Sequence, residues 1–160
     1  MQITVHMGEI KVIKAEQSAV SPGLGSCVAV VLCDRKLLIG CVGHIMRPCI
    51  REACDTSQPA RFADMAVGMM VERMTVLGSQ IEDIWAKIFG GANMFPDLIS
   101  KGSLMDVGAL NISAVKQELK RYNIQLIAEE IGGHIGRSVL FDISNGSVVV
   151  RSAYLEERRY

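Results

Sequence analysis

Gly23-Leu24-Gly25-Ser26-Cys27 runs directly into Val28-Ala29-Val30-Val31-Leu32-Cys33, and Asp34-Arg35-Lys36 separates that run from Leu37 to Ile45, which carries His44. Two apolar, β-branched stretches flanking a short polar turn read as a β-hairpin. Val28, Val30 and Leu32 fall on one face and Ala29 and Val31 on the other, so both faces are apolar. That is the pattern of a sheet covered on both sides. A two-residue loop at Arg35-Lys36 sets Asp34 opposite Leu37 and, counting outward, Cys27 opposite His44. The pair is then of the non-hydrogen-bonded type, with Cα atoms about 4.5 Å apart. Neither Arg35 nor Lys36 favours the primed turns that suit such a loop, so a slipped register stays open.

The glycines ahead of Cys27 allow unusual backbone angles and close approach of main-chain N–H groups to a bound molecule. A thiol at that mouth with an imidazole opposite it is a nucleophile–base pattern. The plainer reading is a core thiol and a structural, hydrogen-bonded histidine. The glycine-rich entry and the facing register strengthen the catalytic reading without excluding the plain one.

Composition narrows the classes. The 160 residues suffice for one domain, 1–160, with its own core, and Glu156 to Tyr160 reads as the end of a fraying tail from about 153. Basic and acidic residues balance at 17 each, and no polybasic block appears, so neither nucleic acid nor anionic membrane is an expected partner. The opening Met1-Gln2-Ile3-Thr4-Val5-His6 lacks the regions of a signal peptide, and no apolar run spans a bilayer. Five cysteines (Cys27, Cys33, Cys41, Cys49 and Cys54) form no disulfide framework and suit a reducing cytoplasm. His44, Cys49 and Cys54 supply three metal ligands at most, without paired knuckles, so neither a metal nor another cofactor is expected.

Along the chain, Ile3 to Lys14 gives one or two short strands broken near Gly8, and Ala15 to Ser26 a loop holding Pro22. Arg47-Pro48 to Gln58-Pro59 is a polar connection long enough to border a site. Ala63, Ala66, Val67, Met70, Val71, Met74 and Leu77 recur at helical spacing up to Gly78, with the methionines as core filling. Ile84 to Phe89 is a buried strand. A second helix starts from an Asn111 cap with Ile112, Val115, Leu119 and Tyr122 on one face. Ile124 to Ala128, Ser138 to Ile143 and Ser147 to Arg151 are strands, the last two joined through Asn145-Gly146. Hairpins interspersed with two helices make a layered α+β domain. Gly90-Gly91 and Gly132-Gly133 each follow an expected strand. Neither has the lysine and hydroxyl of a phosphate loop. Both could join Gly23-Leu24-Gly25 at one edge as a binding lip.

Gly23-Leu24-Gly25-Ser26-Cys27-Val28 with Gly43-His44 resembles the CheD family of chemoreceptor glutamine deamidases. The likeness continues through Arg61-Phe62-Ala63-Asp64, Lys87-Ile88-Phe89-Gly90-Gly91-Ala92-Asn93-Met94-Phe95, Val107-Gly108 to Asn111, and Gly132-Gly133-His134-Ile135-Gly136-Arg137. It spans nearly the whole chain. The resemblance implies a sandwich of mostly antiparallel sheet with helices, akin to deamidases of the cytotoxic necrotizing factor type. It implies a cytoplasmic cysteine hydrolase that converts receptor glutamines to glutamate, with Cys27 as nucleophile and His44 as base. Ser21 stands where the family usually has threonine as the third member. Leu110 stands where an arginine commonly precedes the asparagine. Gly23, Leu24, Gly25, Ser26, Gly90 and Gly91 are the expected substrate or partner contacts. Expected partners are the helical cytoplasmic domains of chemoreceptors and a CheC-type phosphatase. The alternatives are a non-catalytic partner of CheC and a thiol amidase or peptidase with another substrate.

Overall fold

A computed structural model describes residues 1–101, 103–154 and 156–160. The hairpin is the centre of a five-stranded sheet. Strand β4 (Val28–Asp34) pairs antiparallel with β5 (Ile39–Ile45) on one side and β6 (Ile84–Gly90) on the other. Strand β2 (Ile10–Lys14) extends the sheet beyond β5, and β7 (Gln125–Ile131) lies parallel to β6. The second sheet is ordered β1 (Gln2–Thr4), β3 (Ser18–Leu24), β8 (Arg137–Asp142), β9 (Ser147–Ser152), β10 (Arg158–Arg159), and only its β1–β3 pair is parallel.

The two faces of β4 build two cores, as its continuous apolar run requires. Val28, Val30 and Leu32 pack on helices α1 (Ala63–Val76) and α2 (Val107–Arg121), against Met70, Met74, Val115 and Leu119. Ala29, Val31 and Cys33 face the second sheet, against Val139, Phe141, Val148 and Val150. All seven β4 residues are buried, and each large aliphatic side chain there contributes about 1.5–3 kcal/mol. The result is sheet on sheet on helices, the expected α+β sandwich.

Four expectations need correction. The hairpin loop holds four residues, not two: Asp34 pairs with Ile39, and Ala29, not Cys27, lies opposite His44. The Asp34 carboxylate accepts from the N–H groups of Lys36 (2.9 Å) and Leu37 (3.1 Å), closing the wider turn locally. A two-residue shift keeps every side chain on its face, so the apolar pattern is equally satisfied by either register.

The loop expected from Ala15 to Ser26 contains β3 instead. Pro22 obscured it, since proline within a run argues against a strand. The structure accommodates Pro22 in a bulge between Ser21 and Leu24, with Gly23 at φ +68. Helix α2 is capped by Asp106, whose carboxylate accepts from the Ala109 N–H at 3.1 Å, and Asn111 lies inside the helix. Within the expected fraying tail, Arg158 and Arg159 pair with Val150 and Val149. The Tyr160 ring meets Phe89 edge-on at 5.6 Å, and its hydroxyl donates to Glu130 at 2.7 Å.

Candidate active site

The inter-sheet layer brings together two of the three residues singled out for catalysis. Ser21 comes from β3 of the second sheet and His44 from β5 of the first. Both are fully buried, and Ser21 Oγ lies 2.9 Å from His44 Nδ1. The same hydroxyl reaches the Val5 carbonyl at 3.4 Å. A serine has one proton to give. With that proton on Val5 O, Ser21 Oγ accepts from Nδ1–H, which sets the imidazole tautomer and leaves Nε2 as the basic nitrogen. His44 Nε2 is buried and has no hydrogen-bond partner among the described residues.

His44's main chain explains how the ring is held. Its N–H donates to Glu9 O (3.0 Å) and its carbonyl accepts from Gly8 N–H (2.9 Å). Both groups therefore face the β2 side, and Ala29–His44 is a non-hydrogen-bonded pair, the closer kind. Cys27 precedes Ala29 by two residues at the mouth of β4, on the diagonal from His44. Such diagonal neighbours lie about 7–8 Å apart. No hydrogen bond joins the thiol to the imidazole, consistent with the free Nε2.

The segment carrying Cys27 is tied back through three successive carbonyls. Gly25 O accepts from Ala92 N–H at 2.8 Å, Ser26 O from Asn111 Nδ2 at 2.9 Å, and Cys27 O from Gly91 N–H at 2.8 Å. Gly90 makes this approach possible: a Cβ there would stand 2.3 Å from Cys27 O, at φ +105. Gly132 N–H donates to Gly90 O (2.8 Å) and Asn93 N–H to Gly133 O (2.9 Å), so the glycine pairs do gather at the edge where Cys27 sits. Their roles differ from the expected lip. Gly23 is exposed and Gly25 and Ser26 are half-buried at the mouth, whereas Leu24, Gly90 and Gly91 are buried and support it from behind.

Beyond the mouth the surface is apolar. Met94, Phe95, Leu98, Leu104 and Met105 are exposed, and a cavity of ≈ 160 Å³ lies between Ser26, Phe95 and Met105. A second, larger hollow of ≈ 460 Å³ borders Met46, Arg47 and Leu110. The sequence pattern suggests a cap at Asn111, whereas the structure makes it a bridge between Ser26 O and Met46 O. Nothing local signals it, because its partners are 85 and 65 residues away. Among the described residues no group of three or more His, Cys, Asp or Glu could hold a metal ion.

Burial pushes the Cys27 thiol above its ordinary value, and the Arg47 charge and Cys27's own N–H pull it partly back. Burial likewise holds His44 below its ordinary value of 6.5, with hydrogen bonding to the Val5 backbone opposing the shift and the His6 charge adding to it. The resting pair is therefore a neutral thiol and a neutral imidazole.

The His44 shift sets a pH dependence of stability. The unfolded chain takes up a proton at His44 more readily than the folded one, so this contribution is complete above pH 6.5 and is lost as pH falls from there through the folded value. Denaturant titrations from neutral pH to about pH 5.5 should show a falling midpoint that is shallower in His44→Gln. Equal slopes in the two proteins would mean that His44 is not held neutral.

The model of the family described as "CheD chemotactic sensory transduction" matches residues 48–152. A relative from Clostridium botulinum strain Hall is 39% identical over 154 residues, 96% of this chain and 94% of the relative. Another, from Methanococcus maripaludis strain C6, is 39% identical over 151 residues, 94% of this chain and 95% of its own length. The chain belongs to the CheD family. Both relatives carry the name "Probable chemoreceptor glutamine deamidase CheD". Family membership agrees with the resemblance carried by the Gly23–Cys27 and Gly90–Phe95 segments and with the layered α+β sandwich. Among the described residues no helix is long and apolar enough to cross a membrane.

Proposed function

We propose that this protein is a chemoreceptor glutamine deamidase that works through Cys27, His44 and Ser21. The carrying observation is the hydrogen bond that Ser21 Oγ accepts from His44 Nδ1, which leaves a buried Nε2 with no partner among the described residues on the face that Cys27 joins. A carboxamide is a poor electrophile, so the attacking sulfur must be a thiolate. His44 Nε2 takes the thiol proton as Cys27 Sγ adds to the glutamine side-chain carbonyl. The imidazolium then protonates the departing amine, the C–N bond breaks, and ammonia leaves a thioester on Cys27. His44 next removes a proton from water, which attacks the thioester and restores the thiol as glutamate departs. Ser21 steadies the imidazolium through Nδ1, more weakly than a carboxylate would.

The main-chain N–H groups of Ser26 and Cys27, at the mouth beside the thiol, are the nearest candidates for the developing oxyanion. The exposed Met94, Phe95 and Met105 beside Ser26 suit a folded amphipathic helix better than a threaded peptide. On this reading the substrate glutamine sits on the helical cytoplasmic domain of a receptor, and the protein works in the cytoplasm. A CheC-type phosphatase that docks on the same fringe competes with the receptor.

Incubation with receptor cytoplasmic domains, followed by peptide mass spectrometry, tests the reaction. Glutamine-to-glutamate conversion with intact backbone is expected, and it slows as a CheC-type partner is added. Backbone cleavage would indicate a peptidase, and no change at any glutamine would remove the deamidase reading. Unchanged rates at saturating partner would mean separate surfaces.

A further inference from the structure

Of the four residues that α2 buries, Gly108, Asn111, Val115 and Leu119, only Asn111 has a polar side chain. It is 0% exposed, and its Oδ1 is buried without a partner. A half-satisfied amide is a costly occupant of a site that an aliphatic side chain could fill. Its other half touches both arms of the candidate site. Nδ2 donates to Ser26 O at 2.9 Å and to Met46 O at 3.1 Å. Ser26 immediately precedes Cys27, and Met46 follows His44 by two residues.

We propose that Asn111 is a positioning residue for the thiol site: its one amide group holds the spacing between the Cys27 and His44 strands and aims the Cys27 N–H. The argument rests on the reading of Cys27 as nucleophile. In a planar trans peptide the C=O and N–H point in opposite directions. Drawing Ser26 O toward α2 therefore turns the N–H of Cys27 away from the helix, out to where a substrate oxygen stands. The Ala92 N–H does the same one peptide earlier, through Gly25 O. Helix α2 supports that second tie as well, because a Cβ at Gly108 would fall 2.4 Å from Gly91 O and 2.6 Å from Ala92 O. The first two turns of α2 thus brace the nucleophile segment directly through Asn111 and indirectly through the Gly91-Ala92 backbone. The β4–β5 ladder ends at the pair Val28–Ile45, and beyond it Met46 N–H goes to Arg61 O and not to β4, so Asn111 is the tie between Ser26 and Met46 past the last pair.

Asn111→Asp removes the two donors at constant shape, and Asn111→Leu replaces the amide with an apolar group of similar size. Three readouts apply to the full chain. For receptor deamidation, kcat should fall about 100-fold, as when an oxyanion donor is lost, with KM within about twofold. Site-resolved iodoacetamide labelling of Cys27, referenced to the exposed Cys54, should move to higher pH, because a misdirected N–H no longer supports the thiolate. Thermal melts identify the folded fraction of each variant. Folded variants with wild-type kcat and an unmoved labelling profile would overturn the proposal. So would lost stability with activity per folded molecule unchanged.

A measurement on the unmutated protein covers variants that do not fold. The Asn111 side-chain protons should exchange with solvent at least about 100-fold more slowly than those of the exposed Asn123. Equal rates would overturn the two bonds on which the inference stands. Labelling and exchange need no substrate, so a protein that deamidates nothing sinks the functional reading and leaves these arms to judge Asn111.

Discussion

Cys27→Ala is expected to abolish conversion of receptor glutamine, a loss on the order of 10⁴-fold or more, while alanine at Cys33, Cys41, Cys49 or Cys54 leaves most activity in place. The five thiols occupy different environments. Cys33 and Cys41 are 0% exposed in the two cores, and burial pushes both to about 12, so neither meets a substrate nor ionises near neutrality. Cys49 and Cys54 lie on the connection after β5, outside the inter-sheet face that carries His44. Cys27 alone combines partial exposure, tied-back carbonyls and the same face as a histidine with an open Nε2. Each variant is compared by the fraction of receptor glutamine converted, read by mass spectrometry. Full conversion by Cys27→Ala would overturn the mechanism.

The second large effect belongs to His44. His44→Ala should lower the rate by about 10³-fold, since one group serves both as the base that forms the thiolate and as the acid that releases ammonia. Ser21→Ala should cost about tenfold, the scale of one neutral hydrogen bond. It frees Nδ1 from its acceptor but removes no participating proton. Ser21→Thr keeps the hydroxyl and adds the stiff χ1 of a β-branched side chain, and is expected to equal or exceed the serine enzyme. Initial rates of ammonia release rank the three proteins. A Ser21→Ala protein slower than His44→Ala would reverse the order and make the hydroxyl more than an orienter.

Much of this architecture can be read from local pattern. The doubly apolar run Val28–Leu32 announces a strand buried on both faces, and it is the strand between the two cores. The helical spacing from Ala63 to Met74 gives α1 with Met70 and Met74 inside. In each case the signal is burial periodicity, which every residue of the element repeats. The misses arise where a single residue carries conflicting information. Pro22 argues against a strand, yet one bulge absorbs it. Asn111 and Asp106 are both good caps, and the one that meets an orphan N–H is decided by where the helix begins.

The residue types of the candidate site, the Gly23–Cys27 mouth, the strand that carries His44 and the α+β class all follow from the order of residues alone. They do so because hydrophobic period, glycine content and side-chain chemistry are properties of short segments. Which groups meet depends on how the layers are assembled. The register of β4 and β5 is two residues from the expected one, because both settings bury the same faces and the Asp34 carboxylate selects the wider turn. The contact between Ser21 and His44 exists because β3 of one sheet packs across β5 of the other. The Asn111 bridge exists because α2 crosses the ends of two strands distant in sequence. Contacts of that kind depend on how layers stack, and stacking is set by the summed burial of the whole chain rather than by the residues that come to touch.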